Sequence, residues 1–251
     1  MMIKTRVPFY SGTSGVALTI PKQSFPREFR DKSRLIYYSS LFNSVEINSS
    51  FYNIPRISTV TKWAESVPDN FQFTFKLWKA VTHSKGLTFY SDDVDQFLET
   101  IDHVGNKKGC LLVQFPPSLA VANAPQVEQL LMYLRKADPD HRWKIALEFR
   151  NKSWYQEEIY DKLYEFEVSM VVHDLPSSTT PLIDSKAGYV YLRFHGPGGR
   201  YRGSYTDEFL AEYARHISAW MNVGKTVYVY FNNTMGDAAK NLLTLNELVG
   251  V

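Results

Sequence analysis

The chain has 251 residues, 44% of them hydrophobic and 22% charged, an ordinary globular composition with enough chain for one large α/β barrel or two small domains. A net charge of +2 gives no global basis for nucleic-acid binding, so any basic footprint has to be local. No apolar run reaches the ~18 residues of a membrane span, and the polar segment Met1–Pro8 does not read as a signal peptide.

Strand-like and helix-like segments alternate almost throughout. Phe9–Gly12 is the first predicted strand, entered through Pro8 and followed by the small-residue loop Thr13–Gly15. Arg34–Phe42 carries Leu35, Tyr38, Leu41 and Phe42 at helical spacing. Ser44–Asn48 is the second strand. The helix from Ile57 to Ser66 stops at Pro68. Phe71–Leu77 alternates cleanly, with Gln72, Thr74 and Lys76 on its polar face. Asp92 or Asp93 is expected to cap the next helix, whose apolar stripe is Val94, Phe97, Leu98, Ile101 and Val104.

Gly109–Phe115 is almost continuously apolar, as in a parallel sheet covered on both faces. It contains Cys110, the single cysteine, which reads as a buried small hydrophobe; with no disulfide available, a cytoplasmic location is expected. Pro125 opens a helix with Val127, Leu130, Leu131 and Leu134 inside. Ile145–Phe149 is the fifth strand, and Ser153 is expected to cap the helix after it. Val168–Val172, the sixth strand, leads to His173 and Asp174. Leu175–Lys186 then has no helical period and reads as a long loop, a candidate lid. Tyr189–Phe194, a helix over Asp207–Trp220, Thr226–Phe231 and a helix over Ala238–Leu248 complete the chain.

Eight predicted strands alternating with helices imply a single TIM-type (β/α)8 barrel domain, with an irregular connection between strands six and seven. An open doubly wound sheet is the alternative, but no Gly-x-Gly-x-x-Gly follows the first strand.

The unusual polar residues gather at the C-terminal ends of these strands: Glu46 and Asn48, Lys76, Gln114, Glu148 and Arg150, His173 and Asp174, Arg193 and His195, Asn232 and Asn233. In a barrel those ends converge on one rim, where barrel enzymes carry their sites. Glu148 and Arg150 lie two apart, which puts both on one face of a strand, and buried charges are costly unless paired or used. Arg150 should lower the Glu148 pKa and burial should raise it; the ionised form is expected, because Arg keeps its charge.

Glu46, Glu148, Asp174 and His195 are therefore the candidate acid–base residues. The bland alternative pairs Glu148 with Arg150 or Arg193 and Glu46 with Lys76. Asn48, Lys76, Gln114, Arg150, Trp154, Arg193, Gly196, Arg200, Asn232 and Asn233 are the candidate substrate-binding residues. The glycine-containing loops His195–Arg202 and Asn232–Gly236 follow strands seven and eight, where such barrels bind phosphate, and offer backbone N–H groups to an anion. A divalent metal on His173, Asp174, His195 and the glutamates is the weaker alternative; the nearby Arg and Lys oppose a bare cation, and no cofactor is expected.

The chain resembles the domain-of-unknown-function 72 family, also called YecE-like, over nearly its whole length. The matching stretches are Gly12–Gly15, Phe42–Pro55, Phe71–Lys76, Thr82–His83, Leu112–Pro117, Ala146–Trp154, Leu192–Gly196 and Val227–Thr234. The resemblance implies a TIM-type barrel and brings no established reaction. The chain departs from the family pattern near the first strand, where Val16 and Lys22–Pro26 stand in place of a more aromatic rim. The expected function is an enzyme acting on a small phosphorylated, anionic or sugar-like ligand by acid–base chemistry. A nucleic-acid-binding, endonuclease IV-like phosphodiesterase and a binding module without catalysis are the alternatives.

Overall fold

A computed structural model describes residues 8–182 and 186–251. The expected alternation is there: parallel strands β1 (Phe9–Thr13), β2 (Ser44–Ile47), β3 (Gln72–Lys76), β4 (Lys108–Gln114) and β5 (Lys144–Glu148), then two short pieces, β6 (Ser169–Met170) and β7 (Val172–His173), then β8 (Tyr189–Phe194) and β9 (Thr226–Phe231). Between them run helices α1 (Arg34–Leu41), α2 (Ile57–Glu65), the single turn α3 (Lys79–Thr82), α4 (Ser91–Asp102), α5 (Ala124–Ala137), α6 (Glu157–Glu165), α7 (Asp207–Asn222) and α8 (Ala238–Val249). None of the described helices is long and apolar enough to cross a membrane.

The strands form two parallel sheets, ordered β1-β9-β8-β7 and β2-β3-β4-β5-β6, rather than the one closed sheet expected. At one junction the chain itself passes from sheet to sheet. β6 pairs with β5, β7 pairs with β8, and Val171 between them donates its N–H to the Leu147 carbonyl at 2.8 Å. At the other junction, between β1 and β2, the ladder shrinks to the bridge of Ser14 with Glu46. Side chains fill the gap. The Asn43 amide accepts from the Ser11 N–H (2.9 Å) and donates to the Phe9 carbonyl (2.8 Å). The Tyr38 hydroxyl accepts from the Thr13 N–H (2.7 Å) and donates to the Ser44 carbonyl (3.1 Å). These bonds satisfy backbone groups that would otherwise be buried without partners.

Two cores result from the period of two along each strand. Outward residues such as Val45, Phe73, Phe75, Val113, Leu147, Leu192 and Val229 pack under the helices. Inward residues from both sheets meet in a second cluster: Cys110, Leu112 and Ala146 from one, Tyr189, Tyr191, Tyr228 and Tyr230 from the other. The tyrosines reach across with their hydroxyls. Tyr230 bonds Ser44 (2.6 Å) and Thr74 (2.7 Å), and Tyr228 donates to Gln72 (2.9 Å). These four tyrosines fill the interior, where their polar tips find partners that aliphatic side chains would leave unsatisfied, while buried Phe and Trp side chains pack in the outer core. The polar face read on the third strand is this interior.

Some local expectations change. Asp92 and Asp93 lie in the first turn of α4, where the helix dipole favours them, and its N-cap is Tyr90. Ser153 does not cap α6, which starts at Glu157; its hydroxyl accepts from the Val121 N–H at 2.9 Å. Asn48 opens a 3-10 turn, Asn48–Phe51, instead of ending the strand. The expected lid is anchored at its start. Thr180 donates its N–H to the His173 carbonyl, and the Tyr155 hydroxyl donates to the Ser178 carbonyl. Residues 183–185 of that loop lie outside the described residues.

Gly12 sits at the side-chain-filled junction, where a Cβ would overlap the Ser44 carbonyl. Gly12→Ala is therefore expected to force β1 and β2 apart and cost about 1–3 kcal/mol or more. Urea unfolding measures this; a variant as stable as the parent would show that the junction yields freely.

Candidate functional site

The next inward layer above the tyrosines is charged. Arg193 of β8, in the first sheet, is 1% exposed and lies between Glu46 of β2 and Glu148 of β5, both in the second sheet and fully buried. Its Nη2 is 2.9 Å from Glu46 Oε1 and its Nη1 2.9 Å from Glu148 Oε2. Arg150 adds a second guanidinium to Glu148, Nε to Oε1 at 2.8 Å. Ser14 and Tyr191 donate hydroxyls to Glu46, and Arg193 Nη2 donates to Asn48 Oδ1 at 3.2 Å.

Burial raises a carboxyl pKa, but here Arg193, with Arg150 at Glu148, outweighs it: Glu46 is held below the ordinary carboxyl value and Glu148 well below it. Burial opposes the charge of Arg193 too, yet the two glutamates raise its pKa further. The expected ionised Glu148 is thus what the field around it favours. Glu46 pairs with Arg193 rather than with Lys76.

His195 continues the network. Its Nε2 faces Arg193 Nη1 (3.1 Å) and Arg150 Nη2 (3.4 Å), and its Nδ1 faces Asp174 Oδ1 (3.3 Å). A guanidinium only donates, so Nε2 must accept and the proton belongs on Nδ1, toward Asp174. Burial lowers the His195 pKa and keeps the ring neutral in this position. Asp174 also accepts the His195 backbone N–H (2.7 Å) and the Tyr205 hydroxyl. His173 has both ring nitrogens occupied: Nδ1 accepts from the Leu175 N–H, and Nε2 donates to the Phe149 carbonyl (3.0 Å). Among the described residues, no group of three or more His, Cys, Asp and Glu is arranged to hold a metal ion.

Lys76 differs from all of these. It ends β3, is 8% exposed, and among the described residues has no carboxylate within ion-pair distance; its Nζ lies 4.0 Å over the Phe51 ring. Burial first, then the Arg193 charge, brings its pKa down to about 7. Two amides at other strand ends, those of β4 and β9, also have polar atoms without protein partners among the described residues. Gln114, 4% exposed, uses only Nε2, toward the Phe115 carbonyl, and the Asn232 side chain, 7% exposed, makes no hydrogen bond. Arg150, half-buried, turns Nη1 to the Tyr201 hydroxyl at 3.0 Å.

Tyr201 holds a left-handed backbone (φ +61°), rare for a bulky residue. Hydrogen bonds on both sides fix it there: its N–H goes to the His195 carbonyl, and its carbonyl takes the Met235 N–H. Phe51, His83 and Tyr201 carry no role in the sequence reading. The sequence signal for the first two is their place in the family-like stretches, Phe51 in Phe42–Pro55 and His83 in Thr82–His83.

In the glycine loops, several of the N–H groups expected to meet an anion are used within the protein. Gly199, Tyr201, Met235 and Gly236 donate their N–H groups to carbonyls of the same two loops, Asp237 just beyond them donates to Gly203, and the Gly196 N–H goes to the Tyr205 hydroxyl. A Cβ on Gly196 would strike Arg202, and one on Gly236 would strike Gly203. These glycines let the loops interlock. Asn233 is fully buried and donates to Gly203 and Asn241, while Arg200 is exposed to solvent. Trp154 stands apart from the constellation: it is 1% exposed, stacks on Phe149 at 4.2 Å and donates its indole N–H to the Leu119 carbonyl.

A parallel α/β protein with a charged constellation at its strand ends is the class that this geometry defines. The chain belongs to the family described as Protein of unknown function DUF72, whose model matches residues 10–251. The UPF0759 protein YunF of Bacillus subtilis is 29% identical over 90% of each chain. A DUF72 family protein of Thermotoga maritima superposes with a TM-score of 0.79 at 26% identity, over 97% of this chain and 100% of the other. One from Enterococcus faecalis V583 superposes with a TM-score of 0.78 at 24% identity, over 98% of each, and shows the shared fold.

Arg193→Met leaves two buried carboxylates without their shared cation and is expected to cost about 3–5 kcal/mol near neutral pH. In the parent, depressed carboxyl pKa values add stability above the unfolded value, near 4.5, that is lost as pH falls through the folded ones. In the variant, burial without Arg193 should raise those pKa values, so that acidification recovers part of the loss. Urea unfolding across pH checks both signs; a variant whose deficit is the same at all pH values would mean that the carboxylates find other partners.

Proposed function

We propose that this chain is an enzyme whose two sheets work together as a (β/α)8 barrel, and that it acts at the strand-end rim on a small anionic substrate of the sugar-like or phosphorylated kind. The observation that carries this reading is Lys76: a lysine more than nine-tenths buried, without a carboxylate partner among the described residues, its pKa brought to about 7. A lysine in that state exchanges protons near neutrality, which suits a general base. Acid–base work thereby passes from Glu46 and Glu148, both committed to Arg193, to Lys76. Arg150 and Tyr201 would hold an anionic group, and the spare atoms of Gln114 and Asn232 would take hydroxyls.

The commitment of both glutamates to Arg193 also supports a second reading, a binding module without chemistry. Saturable binding of a compound that is never turned over would favour it.

Thermal unfolding with inorganic phosphate, sugar phosphates and short 2-oxo acids tests the proposal. One compound class should raise Tm saturably, by the equivalent of about 2.7 kcal/mol at a hundredfold excess over Kd. Lys76→Met and Arg150→Ala, if folded, should abolish the rise. Turnover of that compound should increase with pH through about 7, as Lys76 loses its proton. A panel without effect, or variants that respond like the parent, would overturn the reading.

A further inference from the structure

The rim contains one group whose chemistry extends beyond proton transfer. We propose that Lys76 is a nucleophile toward aldehydes and ketones, so that the substrate class is a small carbonyl compound held as an imine on Lys76 Nζ. This rests on the reading of Lys76 as the reacting group and makes that reading more specific.

Three observations support it. Lys76 Nζ has no hydrogen-bond partner among the described residues and is not one of their wholly enclosed unsatisfied atoms, so it keeps some contact with solvent. One side of it faces a ring, with the Phe51 centroid at 4.0 Å, which neither takes a proton nor competes for the nitrogen lone pair. At the same strand ends, Gln114 Oε1, on the strand beside that of Lys76, and the Asn232 amide, just past β9, have no partner among the described residues and offer neutral donors and acceptors to a polar ligand.

The charges felt by Lys76 are balanced toward the free amine. Arg193 and Arg150 oppose its protonation, Glu148 and Glu46 favour it, and burial outweighs each of them. Glu46 and Glu148 are ion-paired with Arg193 and Arg150, and among the described residues none pairs with Lys76, so their pull on the ammonium acts only at a distance. A lysine that is desolvated and next to other cations is the arrangement that makes an amine nucleophilic at neutral pH. His83, whose ring centroid is 4.9 Å from that of Phe51, reports the same field: partial desolvation, then Lys76 and Arg150, lower its pKa to about 4.

The step balances without a cofactor. The Nζ lone pair forms a bond to the carbonyl carbon, the C=O π pair moves to oxygen, and both hydrogens of the neutral amine end on that oxygen, which leaves as water. The product is an imine, whose protonated form withdraws electrons from the adjacent carbon.

Two labelling measurements on the unmodified protein test this. Glyoxylate with cyanoborohydride, the hydride donor, should convert Lys76 to its Nε-carboxymethyl form near neutral pH. By peptide mass mapping this should run about tenfold or more faster than at the exposed Lys62 and Lys240, because an ordinary lysine is mostly protonated there. Acetic anhydride labelling of Lys76 against pH should show a midpoint near 7. Fast labelling by both supports the proposal. A midpoint near 7 with glyoxylate labelling no faster than at Lys62 overturns the imine and leaves Lys76 as a base. A midpoint in the range of the exposed lysines overturns both readings.

Discussion

Arg193 sits where the two sheets need each other. Its guanidinium belongs to the sheet of β8 and its two carboxylate partners to the sheet of β2 and β5, so one cation spans the interior. A buried ion pair gains little over a well-packed apolar replacement but is costly to break, because the remaining charge is left without solvent. The triad is therefore better understood as a constraint on geometry than as a source of stability. With Glu46, Glu148 and Arg193 in place, His195 has one tautomer that fits, Asp174 accepts from His195 and Tyr205, and Arg150 is aimed at Tyr201.

The chemistry of the rim follows from how these charges are divided. Two guanidiniums occupy two carboxylates, and the third cation, Lys76, faces an aromatic ring instead of an anion. In water such a lysine would be fully charged. Here desolvation is the largest influence on it, and the positive neighbours reinforce that influence. The carboxylates that attract attention first are thus each paired with a guanidinium, and the reactive role proposed above falls on Lys76, with which they form no ion pair.

Much of this was legible in the chain. The alternation of Phe71–Leu77 placed Lys76 on the inner face, and the two-residue spacing of Glu148 and Arg150 indicated a shared environment, since strand periodicity is a local property. The pairing partners were less accessible. Arg193 choosing Glu46 as well as Glu148 depends on contacts 147 and 45 residues apart, which no local pattern encodes. The packing role of the glycines in the His195–Arg202 and Asn232–Gly236 loops was hidden for a related reason. A glycine signals close backbone approach without saying to what, and here the approach is of one loop to the other. Trp154 likewise followed a motif into the core instead of toward the rim.

The junction between β1 and β2 has a further meaning for how the fold is encoded. Elsewhere adjacent strands are joined by main-chain groups, which are the same whatever the side chains are. Between β1 and β2 the main chain supplies only the Ser14–Glu46 bridge, and the rest of the joining is delegated to Asn43 and Tyr38, with Gly12 clearing the space. One strand pairing of this protein is thus written in residue identity, and is heritable and mutable as such. A change of a single codon at Asn43 or Tyr38 edits the connection between the sheets directly, whereas at the crossing through Val171 the same connection is the chain itself and is indifferent to any substitution that keeps it extended.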